Sequence, residues 1–138
     1  MDNSQKHEVL NIYLGFDETE IVAYHTLSQS IIKHASGPVR VSPICSKHFK
    51  NFFNRPRDEK QSNDFSFTRF LVPYLNQYDG HAIFMDCDMM LRSDIFDVLR
   101  EIDKESAVSV VKHDYTPSDA VKYLNKVQYA YPRKNWSS

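Results

Sequence analysis

The sequence predicts an α/β fold with a mostly parallel sheet flanked by helices. Three observations carry that expectation. A β-branched, apolar run at 9–16 is followed by a helical pattern and then by a second strand pattern at 39–45. A strand, a helix and a strand in that order argue for a βαβ unit. A second helical stripe then leads into another short apolar run at 81–85. In a chain of 138 residues these suit one domain with one core.

Each element has its own justification. Val9–Phe16 has one polar residue, Asn11, as expected of a strand buried on both faces of a parallel sheet. Asp17 then stands where a helix N-cap belongs, with Glu20 at the capping-box distance. The helix is expected to run to about His34, with Ile21, Tyr24, Leu27, Ile31 and Ala35 near one face. Ser36-Gly37-Pro38 ends it. Residues 46–53 read as a short helix and 54–64 as a polar surface loop. Ser66 is the expected cap of a second helix. Its stripe is Phe67, Phe70, Leu71, Tyr74, Leu75 and Tyr78, kinked or broken at Pro73. Asp79-Gly80 reads as a turn and His81–Met85 as a third buried strand. Met89–Arg92 reads as a short strand, and Ser93 or Asp94 as the cap of a short helix through Leu99. Ala107–Val111 reads as another strand and Pro117–Leu124 as a short helix.

Composition narrows the function. The chain is 41% hydrophobic with a formal net charge of −1, so it carries no electrostatic footprint for nucleic acid or for an anionic membrane surface. The polar start, Met1–His7, precedes only a short apolar run. That suits neither a signal peptide nor a transmembrane segment, and a cytoplasmic protein is expected. Cys45 and Cys87 are too few for a structural zinc site and sit in apolar runs, where buried free thiols are expected.

Asp86-Cys87-Asp88 is the motif with the most chemistry. Two carboxylates one residue apart can share a divalent cation, and hard oxygen ligands suit Mn²⁺ or Mg²⁺. Such an ion would bridge diphosphate oxygens and stabilise a leaving group. The spacing alone is weak: with 12 aspartates in the chain, about one such pair arises by chance. Its context is stronger. Ligands of α/β sheets bind beyond the carboxyl ends of strands, which is where this pair falls after Ala-Ile-Phe-Met. Otherwise the pair simply caps nearby backbone.

Three segments together resemble a glycosyltransferase of the GT-A fold, similar to glycosyltransferase family 8 and its bacterial relatives. They are Ile12–Asp17, Ser66–Pro73 and Ile83–Asp88, in matching order and separation. The resemblance implies a Rossmann-like nucleotide-diphospho-sugar transferase fold over residues 9–138, with 1–8 as a polar extension. It implies transfer of a sugar from a nucleotide-sugar donor, UDP-linked in the family, to a saccharide, lipid or other acceptor. Asp86 and Asp88 then correspond to the metal and diphosphate ligands, and Arg69 to an arginine that contacts the donor. Asp17 resembles a residue that meets the nucleotide, or is only the helix cap. Gly15 lets the nucleotide approach the backbone, or eases the turn. Tyr13 lines the base pocket or belongs to the core. His113 and Asp114 reach donor or acceptor, or form a local turn. Arg133 or Lys134 meets phosphate, or lies in a solvated loop.

In that family a further metal ligand, usually histidine, lies well beyond the D-x-D. Catalytic domains of this kind run to roughly 200 residues or more. A truncated chain with an incomplete C-terminal part is therefore expected, its metal site one ligand short, and His113 is poorly placed to substitute. Other readings compete. A haloacid-dehalogenase-type phosphatase would use Asp86 as nucleophile, but there the motif opens the domain and Thr or Val stands where Met90 stands here. An inactive or partial domain would bind nucleotide sugar only.

Overall fold

The structure is a computed structural model that describes residues 9–58, 61, 63–111, 121–122 and 126–127. It divides into two compact units, 1–101 and 102–138.

The first unit is α/β. Its elements are β1 (Leu10–Gly15), α1 (Ile21–His34), β2 (Val39–Ile44), α2 (Val72–Leu75), β3 (Ala82–Met85) and α3 (Val98–Glu101). β1 lies at the centre of a three-stranded sheet in the order β2-β1-β3, and both pairings are parallel. Ile12 pairs with Val41 on one side and Ile83 on the other. The register therefore sends these three side chains to one face, since strand side chains alternate. Leu10, Ile12 and Leu14 form that face with Leu27, Ile31 and Ile95, and Ile83 and Met85 pack against them. Each such side chain contributes about 1.5–3 kcal/mol by leaving water.

Several expectations are corrected here. The opposite face of β1 is only half-buried, at Asn11 and Tyr13, so β1 is not apolar on both sides. β3 is half-buried throughout, because it is an edge strand. On the other edge, Pro43 sits exposed in β2, where a missing N–H can face outward at no cost. In α1 the buried residues are Leu27, Ser30 and Ile31, and Tyr24 and Ala35 pack on the core, but Ile21 is exposed.

The second helical stripe departs further. A 3₁₀ turn at Thr68–Leu71 runs into α2, and Pro73 occupies the first turn of α2, where it breaks no hydrogen bond. The helix stops at Leu75. Gln77 and Tyr78 take φ of 56° and 55°, followed by Gly80 at 61°, which a continuing helix excludes. Ser66 does not cap; its hydroxyl bonds Asn63. The buried side chains are Phe65, Thr68 and Val72, whereas Phe70, Tyr74 and Tyr78 are exposed.

Met89–Arg92 is not a strand. The Leu91 N–H instead donates to the Ser30 hydroxyl at 3.0 Å, which commits the backbone to α1. Asp94 caps as expected, accepting from the Phe96 N–H ahead of the 3₁₀ turn Ile95–Asp97. It also accepts from the Ser36 N–H, tying this turn to the end of α1.

In the second unit, 107–111 carries no strand, and Val108, Val110 and Val111 are exposed. An apolar run becomes a strand only with a partner to pair with. Within the expected helix 117–124, Val121–Lys122 is instead a short strand, β4. It pairs antiparallel with β5 (Lys126–Val127), Val121 opposite Val127. Residues 117–120, 123 and 124 lie outside the described residues. No helix among the described residues is long and apolar enough to cross a membrane.

Candidate metal and diphosphate site

The parallel register decides what meets at the carboxyl edge of the sheet. Leu14 of β1 pairs with Met85 of β3. Phe16 and Asp17 thus leave the sheet beside Asp86, Cys87 and Asp88, although they lie about 70 positions apart in the sequence. This edge is where α/β sheets bind ligands.

Arg69 reaches the same edge. Its Nη2 lies 3.2 Å from Asp86 Oδ1, and less than a fifth of either side chain is exposed. Its guanidinium carbon also stands 5.1 Å from the Phe84 ring and 5.9 Å from the Phe65 ring. The Nε of Arg69 and the hydroxyl of Thr68 are buried with no hydrogen-bond partner among the described residues. Burial lifts the Asp86 carboxyl above the ordinary carboxylate range; Arg69 opposes the rise, while Asp88 and Glu20 add to it. Asp88 is exposed. The pair is thus asymmetric, with one carboxylate half-buried and held by arginine and its neighbour open to solvent.

Cys87, between them, is fully buried. Its thiol donates to Glu20 Oε2 at 3.0 Å. Burial pushes the thiol's pKa up, and the Glu20 hydrogen bond adds to the rise. Glu20 does not close a capping box, as spacing suggested; it makes no cap hydrogen bond at the start of α1. Sequence reasoning missed its true contact. The signal was available only through the sheet register, which brings the residues after β1 against those after β3.

Asp17 is buried and serves as the cap of the 3₁₀ turn Glu18–Glu20, accepting from the Thr19 N–H at 2.9 Å and the Thr19 hydroxyl at 2.6 Å. Its other oxygen accepts from the Asp64 N–H at 3.1 Å, binding the loop before Phe65 to the end of β1. Gly15 has a packing reason of its own: a Cβ there would lie 2.4 Å from the Phe65 ring. The space above this glycine is filled by an aromatic ring. Tyr13 is half-buried, and its hydroxyl donates to Asn76 at 3.4 Å. Both cysteines are free and buried. His113, Asp114, Arg133 and Lys134 lie outside the described residues.

Among the described residues, no three His, Cys, Asp or Glu side chains converge as a metal site. The carboxylates of Asp86 and Asp88 therefore fit only a cation that takes its remaining ligands from elsewhere, such as diphosphate oxygens and water. An open groove of about 770 Å³ runs between α1 and residues 90–92, lined among others by Val22, His25, Lys33 and Arg92; neither aspartate lines it.

Among curated proteins, the chain is 40% identical over 139 residues to one named Protein CDI, from Arabidopsis thaliana. The match takes in 99% of this chain and 54% of that protein, so the chain spans about half the length of its relative. No protein family matches the sequence, and no solved structure matches it.

Proposed function

We propose that this chain is the donor-binding portion of a metal-dependent glycosyltransferase, taking a sugar from a nucleotide-diphosphate donor, UDP-linked by resemblance. The observation that carries the reading is the Asp86–Asp88 turn. It lies at the carboxyl edge of a parallel sheet, with Arg69 paired to Asp86. A bound Mn²⁺ or Mg²⁺ would neutralise charge developing on a diphosphate leaving group.

The residues divide the remaining work. Asp88, open to solvent, offers its carboxylate to the cation. Asp86 supplies the second carboxylate. Its arginine partner, already at the site and less than a fifth exposed, is placed to share its guanidinium with a diphosphate oxygen. The acceptor is a saccharide, a lipid or another hydroxyl-bearing group, and a cytoplasmic location belongs to the same proposal.

Titration of the chain with UDP, with and without Mn²⁺, tests this. Metal-dependent binding is expected, with a loss of at least about tenfold in Asp88→Ala. Equal binding with and without metal overturns the reading.

A further inference from the structure

The acidic turn is tied to α1 on both of its sides. Ahead of Asp88, the Cys87 thiol donates to Glu20 at the start of the helix; beyond it, the Leu91 N–H donates to Ser30. The helix is itself fixed, because Leu27 and Ile31 are fully buried in the core. Glu20 and Cys87 are 67 residues apart, so their bond exists only in the folded sheet. We propose that Glu20 is a positioning residue for the metal and diphosphate site, holding the turn through the Cys87 thiol so that Asp86 and Asp88 are presented together. This rests on the function proposed above.

The chemistry favours positioning over simple packing. Cys87 turns inward and Asp88 outward, so fixing the middle side chain fixes the orientation of its neighbours. A thiol is a weak donor, but a carboxylate acceptor strengthens the bond. A third acid beside Asp86 and Asp88 is also unfavourable for a fold-only role, since like charges repel. A neutral glutamine would hold the thiol without that repulsion. The charged acceptor instead serves the thiol bond, which is stronger to a carboxylate than to an amide.

The test measures Mn²⁺-dependent UDP affinity of the full chain by calorimetry in Glu20→Ala, Glu20→Gln, Cys87→Ala and Cys87→Ser. Each measurement is paired with a thermal midpoint and with the paramagnetic resonance line of bound Mn²⁺. Glu20→Ala and Cys87→Ala are expected to weaken binding by about tenfold and to broaden the Mn²⁺ line. Glu20→Gln keeps an acceptor and Cys87→Ser keeps a donor, so each recovers most of the loss. If the alanine variants bind as the wild type does, the positioning role fails while the site stands. If Glu20→Gln matches Glu20→Ala while Cys87→Ala is silent, Glu20 acts by charge alone and the thiol link is refuted. Wild-type protein that shows no metal-dependent binding overturns both readings.

Discussion

Two segments of this chain carry apolar residues at helical spacing, and they fold differently. α1 runs unbroken for 14 residues and buries Leu27 and Ile31. The stretch from Phe65 to Tyr78 yields a 3₁₀ turn and a four-residue helix, and leaves Phe70, Tyr74 and Tyr78 in solvent. Spacing says which residues share a helix face; it does not say which face meets the core. In α1 the centre of the apolar stripe, Leu27 and Ile31, is what meets the core. In the second segment two contacts outside the stripe orient the chain. The Phe65 ring lies against Gly15, and Arg69, one helical turn on, pairs with Asp86. Those contacts turn Phe65, Thr68 and Val72 inward and the aromatic stripe outward. The Phe65 ring and the Arg69–Asp86 pair, rather than the stripe at 67–78, set the rotation of this segment.

The largest expected effects divide the two patterns. Leu27→Ala in α1 should cost about 3 kcal/mol, because a fully buried leucine leaves a cavity. Phe65→Ala should cost about 3–5 kcal/mol for the same reason. Phe70→Ala, at the centre of the predicted stripe, should stay within about 0.5 kcal/mol. Urea unfolding midpoints measure all three. A loss at Phe70 as large as that at Leu27 would return the stripe to the core and refute the rotation.

How much was legible in the sequence follows the same division. The three parallel strands, α1 and the Asp94 cap were readable, because each is written in a local sequence pattern. The D-x-D was readable as a strand-end motif, and Arg69 as a candidate through resemblance. Glu20 was not, because its partner is 67 residues away and its local spacing suggested a capping box. Gly15 was read as room for a ligand or for a turn, whereas the room belongs to Phe65, 50 residues on. The apolar run at 107–111 looked like a strand because composition records preference and not partners.

A middle-sized effect sharpens the contrast at the junction of the two regions. Gly15→Ala would place a methyl group 2.4 Å from the Phe65 ring. The expected cost is about 1–3 kcal/mol from overpacking. Phe65→Leu should relieve part of it, so the double variant is expected to be more stable than the sum of the single changes. Additive losses in a double-mutant cycle would mean that the glycine is not reserved for the ring.

The smallest effect concerns two buried hydroxyls, one in each segment. In α1, Ser30 donates to the Leu27 carbonyl at 2.8 Å and accepts from the Leu91 N–H at 3.0 Å. In the other segment, the Thr68 hydroxyl is fully buried and unpartnered among the described residues. Removing a paired group strands its partner, whereas replacing an unpaired hydroxyl by a methyl group of similar shape removes a desolvation cost. Ser30→Ala should therefore cost about 1 kcal/mol, and Thr68→Val should cost nothing or stabilise the fold. Chemical denaturation resolves the sign. If Thr68→Val instead destabilises by as much as Ser30→Ala, its hydroxyl has a partner in solution. The segment carrying Arg69 would then be held by one more polar contact, and its orientation would depend less on Phe65.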